Sequence, residues 1–194
     1  MSNTSVSLLE RLRERPDGDA WQRLVAIYTP LLRQWLGRYG LQASDLDDLT
    51  QEVLAVLVRE LPSFQHNERP GAFRRWLRNV TVNRLRVFWR GRRARPLAPA
   101  DTDFEHTLAQ LQDPDSALSR LWDEEHDRHV ARRLLELIEP EFEPITWRAF
   151  RGLVLEGRPT AEVAAELALT PNAVRIAKSR VLSRLRQEAE GLID

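Results

Sequence analysis

Cysteine is absent from the 194 residues, lysine occurs once, at Lys178, and there is a single methionine. Without cysteine there can be no disulfide, thiolate metal site or cysteine nucleophile. No glycine-rich phosphate loop occurs, and Lys178-Ser179 lacks the preceding glycines. Neither a nucleophile elbow nor a zincin motif is present. No stretch approaches the roughly 18 uninterrupted apolar residues that a membrane span needs. The N-terminus MSNTSVSLLERLRERPDGDA has charges where a signal peptide has its apolar core, which argues against secretion. These absences point away from an enzyme, with no catalytic residue, cofactor or metal expected.

What remains is an uneven distribution of charge. The 29 basic and 29 acidic residues cancel to a net charge of +0, but they are segregated. Arginines 69, 74, 75, 78, 84, 86, 90, 92, 93 and 95 follow one another with no acid between them, whereas residues 101–127 hold nine acids and one arginine, Arg120. A charge run is commonly a solvated face. Here Phe64, Phe73, Trp76, Phe88 and Trp89 crowd the same basic block. Arginine pairs with phosphate and aromatic rings stack on unpaired bases, so the combination suits nucleic acid.

Periodicity predicts an all-α chain: no run alternates β-branched residues, and prolines fall between periodic segments. A first helix is expected over Asp19–Tyr39. Ser44 is a candidate N-cap for a second, with Asp45, Asp47 and Asp48 in its first turn and Leu46, Leu49, Val53, Leu57 and Leu61 as its apolar series up to Pro62. After a loop, a third helix of about twenty residues carries Phe73, Leu77, Val80, Val87 and Phe88 on one stripe and Arg75, Asn79, Arg86 and Arg90 opposite. Arg84 falls inside the apolar stripe, where it would snorkel or pair with a carboxylate. Residues 91 to about 125, broken by Gly91, Pro96, Pro99 and Pro114, read as a flexible acidic linker, with room for a short helix near Asp115–Trp122.

The C-terminal part ends in two helices, Thr160–Ala168 and Thr170–Glu190, separated by a tight turn. Thr170 is a good N-cap and Pro171 suits the first helical position. In the last helix Val174, Ala177, Val181 and Leu185 form the buried stripe. Asn172, Ile176, Ser179 and Ser183 face outward between Arg175, Arg180 and Arg186. This is the helix-turn-helix pattern, although a plain helical hairpin gives a similar one. His126 and His129 stand one turn apart beside Glu125 and Asp127, a spacing a metal could use; histidines on an acidic helix are more often surface residues.

Three segments in order resemble a bacterial sigma factor of the extracytoplasmic-function (ECF) group of the sigma-70 family. SDLDDLTQEVLAVLVRELPSF resembles region 2.2, with a D-L-x-Q-E core at Asp48, Leu49, Gln51 and Glu52. AFRRWLRNVTVNRLRVFWRGRR resembles regions 2.3 and 2.4 through Trp76, Leu77, Asn83 and Arg84. GRPTAEVAAELALTPNAVRIAKSRVLSRLRQEAE resembles region 4.2.

The resemblance implies two small helical domains: a region 2 domain over residues 1–95, a linker over 96–125, and a region 4 domain over 126–194. It implies binding of bacterial core RNA polymerase, through the β′ coiled coil and the β flap, and of promoter DNA. Asp48, Leu49, Gln51 and Glu52 would contact polymerase. Phe64, Arg75, Trp76, Asn79, Asn83, Arg86 and Arg90 would act at the minus-ten element, with the loop Gln65–Ala72 holding a flipped base. Thr170, Asn172, Arg175, Ile176, Ser179 and Arg180 would meet the minus-thirty-five element. A cytoplasmic location and an anti-sigma partner accord with the group. The loop is slightly longer than the group's, and Ile176-Ala177 stand where a small polar and a basic residue are frequent. A helix-turn-helix regulator acting without polymerase would explain Thr160–Glu190 but leave Asp48–Glu52 without a role; a helical adaptor joining proteins through its charged faces is the other alternative.

Overall fold

The computed structural model describes residues 7–14, 18–64, 71–93 and 102–193, and among them there are helices and no strand. Helix α1 (Leu8–Glu14) opens with a reciprocal cap that the sequence reading missed. The Glu10 backbone N–H donates to Ser7 Oγ and the Ser7 N–H donates to Glu10 Oε2, both at 3.2 Å. This is a capping box, and it turns Leu8, Leu9 and Leu12 into the core.

Helix α2 (Gly18–Gly37) buries Leu24, Ile27, Tyr28, Leu31 and Trp35. Pro30 lies inside it, contrary to the expectation that prolines fall between helices. The helix tolerates this because the carbonyl that proline leaves free belongs to Ala26, an exposed residue open to water, while the Thr29 hydroxyl donates to the Val25 carbonyl at 2.7 Å.

Helix α3 (Ala43–Glu60) begins after Gln42, which makes no side-chain capping bond; Ser44 lies within the first turn and is not the cap. Leu61–Ser63 form a single tight turn with Pro62 at its start. Helix α4 (Ala72–Arg93) follows Gly71, whose φ of 70° is a conformation favouring glycine.

On α4 the expected stripe holds for Phe73, Leu77 and Val80 and fails at Val87, which is 56% exposed. Val82 and Leu85 are buried instead. The cause is a covering helix on the other flank. Helix α5 (Thr102–Gln112) packs there, with Leu108 and Leu111 buried. Arg84 is half-buried and pairs with no carboxylate among the described residues.

The interval expected to be a flexible linker is therefore helical over most of its described length. Helix α6 (Ala117–Ile138), capped by Ser116 Oγ accepting from the Ser119 N–H at 3.0 Å, runs straight through residues 125 and 126. Trp122, His126, Val130, Leu134 and Ile138 repeat at four-residue spacing, and all are buried. Trp122 meets Trp35 of α2 with ring centroids 3.9 Å apart. Sequence composition read α6's start as acidic tether because Pro114 precedes it and Asp123, Glu124 and Glu125 follow one another in it; the burial of Trp122 against Trp35 holds it in the core instead.

The C-terminal helices are α7 (Pro144–Phe150), which continues through a wide π-type turn at Arg151–Leu155, α8 (Thr160–Glu166) and α9 (Pro171–Ala189). Ala149, Val163, Ala164, Leu167, Val174 and Ala177 make a small core of their own, beside a second one of Ile138, Phe150 and Val181. The large core takes residues from α1 to α6 and, from the chain end, Ala189 and Leu192. Glu188, almost fully buried, accepts from Arg11 at 2.5 Å and from Arg184 at 2.8 Å, joining the last helix to the first.

Candidate nucleic-acid interface

Helix α3 presents one ridge to solvent. Asp48, Gln51 and Glu52 are exposed and make no hydrogen bond or ion pair among the described residues. Neighbouring Asp47 differs, being paired with Arg33 of α2. Leu49 is 1% exposed and packs in the core, so it supports the ridge from beneath instead of adding surface to it. The ridge continues through exposed Ala55 to Val58, 46% exposed. Sequence reading missed these two; the signal was the 3- and 4-residue spacing continuing from Asp48 with small apolar residues on a polar face.

Behind the ridge, four rings cluster where α3 hands over to α4. Phe64 lies 5.0 Å from Trp76 and 5.9 Å from Phe73, centroid to centroid, and Phe73 meets Tyr28 at 5.7 Å. Phe73 is buried; Phe64 and Trp76 are half-buried against the core and keep an edge at the surface. Both thus brace the end of α4 while leaving ring surface available for stacking. Within the loop Gln65–Ala72, residues 65–70 lie outside the described residues.

Five arginines of α4 divide into two sets. Arg75 and Arg90 are exposed and ion-pair with no described acid. Arg74, Arg78 and Arg86 turn toward the acidic block. Arg74 donates to Asp127 at 2.7 Å and Arg78 to Asp123 at 2.6 Å. Arg86 Nε lies 3.5 Å from Glu105. Arg38, in the turn that follows α2, grips both carboxylate oxygens of Glu125, at 2.8 and 2.9 Å. The basic and acidic runs are thus partly complementary to each other, a feature that composition alone did not distinguish from two solvated faces. Burial lowers the pKa of Arg78 from its ordinary value, and Asp123 opposes that shift. Asn79 is half-buried and Asn83 exposed.

The two histidines are neither surface residues nor metal ligands in waiting. His126 is fully buried; its Nδ1 donates to Asp127 at 2.9 Å and its Nε2 accepts from the Tyr28 hydroxyl at 3.2 Å. Burial, with the Asp127 charge adding to it, holds that hydroxyl protonated well above its ordinary range. His129 Nε2 donates to the Ile27 carbonyl at 2.7 Å, which leaves Nδ1 to accept from Arg132 at 3.4 Å. Among the described residues no group of three or more His, Cys, Asp or Glu is placed to hold a metal ion.

At the other end of the molecule, Thr170 Oγ1 accepts from the Ala173 N–H at 3.1 Å and caps α9 as expected. Ala168, at φ 52°, makes the turn from α8 tight. Asn172, Arg175, Ile176, Ser179 and Arg180 are all exposed, and Ile176 is 49% exposed. Arg158 braces α8 from below through Glu162 and Glu166; hydrogen bonds to these carboxylates, Glu166 first, raise its pKa above its ordinary value. Among the described residues no helix is long and apolar enough to cross a membrane.

No curated protein matches the chain. Residues 24–95, which run from the middle of α2 through the α3 ridge and the whole of α4, match the family model described as Sigma-70 region 2. The free acidic ridge and the arginine-rich helix braced by aromatic rings both lie within the matched segment, and over this segment the chain is similar to a family of non-enzymatic transcription initiation factors.

Proposed function

We propose that the chain is an alternative sigma factor of the ECF group, which binds core RNA polymerase and directs it to particular promoters. Region 2 of the sigma-70 family implies binding of core polymerase and promoter DNA. The observation that carries the finer reading is the unpartnered ridge Asp48, Gln51 and Glu52 on the same domain as exposed Arg75, Asn83 and Arg90. An acidic, unpaired helix face suits a basic partner helix, and the β′ coiled coil is that partner. Ala55 and Val58 extend the ridge with an apolar strip suited to the centre of a helix–helix contact.

On this reading α4 works at the minus-ten element. Arg75 and Arg90 neutralise phosphates, Asn83 meets an exposed base edge, and the outer edges of Phe64 and Trp76 take a base drawn from the stack. The α8–α9 pair acts as a helix-turn-helix. Asn172, Arg175, Ile176, Ser179 and Arg180 face the minus-thirty-five major groove, and Thr170 fixes where the helix starts. Cytoplasmic location and control by an anti-sigma protein go with the assignment, as does contact of the C-terminal helices with the β flap.

Run-off transcription with purified core polymerase, followed by sequencing of the start sites, tests the proposal. Core plus this chain should initiate at a small set of sites sharing minus-ten and minus-thirty-five sequences. Asn83→Ala should retain core binding and lose promoter opening in a permanganate assay. Absence of chain-dependent initiation, with no binding to core, would refute the assignment.

A further inference from the structure

Two of the residues assigned to DNA on α4 already have partners within the chain. Arg86 Nη2 donates to Gln112 Oε1 at 3.1 Å, and its Nε lies 3.5 Å from Glu105 Oε2. Gln112 Nε2 in turn donates to Asn83 Oδ1 at 3.4 Å. Glu105 and Gln112 stand two turns apart on α5, so they present one carboxylate and one amide to the same stretch of α4.

Helix α5 is firmly seated. Leu108 and Leu111 are buried, and the Phe104 ring lies 5.2 Å from Trp89 and 5.9 Å from Tyr39. The Ser116 hydroxyl donates to the Gln110 carbonyl at 2.6 Å and the Ser119 hydroxyl to the Leu111 carbonyl at 3.0 Å, closing its C-terminal end. The apolar face therefore fixes where the two polar side chains stand. Those side chains themselves are in contact with water: Gln112 is exposed, and the Glu105 side chain keeps 40% of its surface.

We propose that α5 is a built-in competitor for single-stranded DNA on α4: Glu105 and Gln112 occupy Arg86 and Asn83 in place of a phosphate and a base edge. The inference rests on the DNA-binding role proposed above for α4. A carboxylate and a phosphate offer a guanidinium the same anionic oxygens, and an amide offers Asn83 the donor of a base edge. On the α5 side both contacts are open to water, while Arg86 keeps 19% of its side-chain surface, so each is exchanged by turning the Glu105 or Gln112 side chain, with the buried face of α5 left in place. Glu105 also repels an approaching backbone. The free chain accordingly binds a single strand more weakly than the same α4 surface would without these two groups.

The test compares the full chain with its E105Q/Q112A variant. The probe is a fluorescein-labelled, mixed-sequence DNA strand of about twelve nucleotides, within the site size of a small single-strand-binding surface. Anisotropy titrations should show the variant binding about five-fold more tightly at low salt, with an unchanged far-ultraviolet circular dichroism spectrum. Its affinity should fall more steeply with salt, because Arg86 now displaces counterions from the strand. Arg86→Ala should weaken the variant more than it weakens the parent chain. Equal affinity and equal salt dependence in parent and variant would overturn the competitor role. Run-off transcription by the parent chain with core polymerase separates this result from failure of the sigma assignment: initiation by the parent with equal strand affinities removes only the role of α5.

Discussion

Arg78, on α4 and 1% exposed, donates to Asp123 of α6 at 2.6 Å and to the Ser119 carbonyl at 3.2 Å. A guanidinium out of water depends on that carboxylate, which ties the arginine-rich helix to a segment that composition marks as a tether. Asp123→Ala should lower unfolding stability by about 2–4 kcal/mol, since it strands a buried charge. Arg78→Met combined with Asp123→Leu should cost less than Asp123→Ala alone. Urea denaturation of the three proteins measures the difference, and an Asp123→Ala loss within error of zero would contradict the buried pair.

The contact of Trp122 with Trp35 makes a related forecast for the chain as a whole. Both rings are about 1% exposed. Trp122→Ala should destabilise the fold by about 3–5 kcal/mol. A fragment of residues 1–95 would leave Trp35 and its neighbours without α6, and should bind a hydrophobic dye more strongly than the intact chain. Native-like, dye-free behaviour of that fragment would show that the N-terminal helices complete their core without α6.

Acid should weaken the same junction through His129. Burial, the largest cause, pushes its pKa below the ordinary 6.5, outweighing the backbone bond to Ile27 that raises it. Arg132 and Arg133 on its own helix and His126 one turn away reinforce the depression. The sign follows from linkage: the unfolded chain takes up a proton at the ordinary value and the folded chain resists it. The contribution is therefore complete above 6.5 and is lost as pH falls below it towards the depressed value. Denaturation midpoints measured between about pH 7.5 and 5.5 should fall less in His129→Gln than in the parent.

On α3, surface and support should separate cleanly. Asp48→Lys with Glu52→Lys should weaken binding to core polymerase at least about ten-fold, by placing like charges against a basic partner, with helicity unchanged. Leu49→Ala should instead cost about 2–5 kcal/mol of stability, as for any leucine truncated in a core. Titration of labelled core with each variant, alongside thermal unfolding, tells the two apart. Unchanged affinity in the charge-reversal variant would remove the ridge from the interface.

Recognition by α9 admits an equally direct division. Arg175 lies on the flank of the exposed face and is expected to hold a phosphate, while Asn172 and Ser179 meet base edges. Arg175→Ala should weaken all sequences about equally and flatten the salt dependence; Asn172→Ala and Ser179→Ala should each relax preference at one position, worth roughly 1–3 kcal/mol of discrimination. Selection from a randomised minus-thirty-five library reads this out. A position-specific change in Arg175→Ala alone would reverse the roles.

How much of this was legible beforehand depended on how local the cause is. Thr170, Pro171 and the stripe Val174, Ala177 and Val181 act within one or two turns of helix, and the structure places all of them as the sequence predicts. The exposed state of Asp48, Gln51 and Glu52 follows in the same way from the buried positions Leu49, Val53 and Leu57 that alternate with them. The capping box at Ser7 and Glu10 was as local and equally readable, though overlooked.

Partnership between distant helices was not local. His126 occupies a buried position in the four-residue series from Trp122 to Ile138, yet its acidic neighbours marked it as surface until Tyr28 of another helix was seen to complete its hydrogen bonds. Val87 fits one helical stripe and lies in water because α5 covers the other flank of α4. Sequence by itself determined the helical character of α2, α3, α4, α8 and α9, the Thr170 cap, the free ridge on α3 and the polar face of α9, since each is settled by the pattern of a single segment. Only the tertiary structure decided that the acidic run folds back onto the basic one, because charge pairing and tryptophan burial across tens of residues depend on where helices meet, and no single segment carries that information.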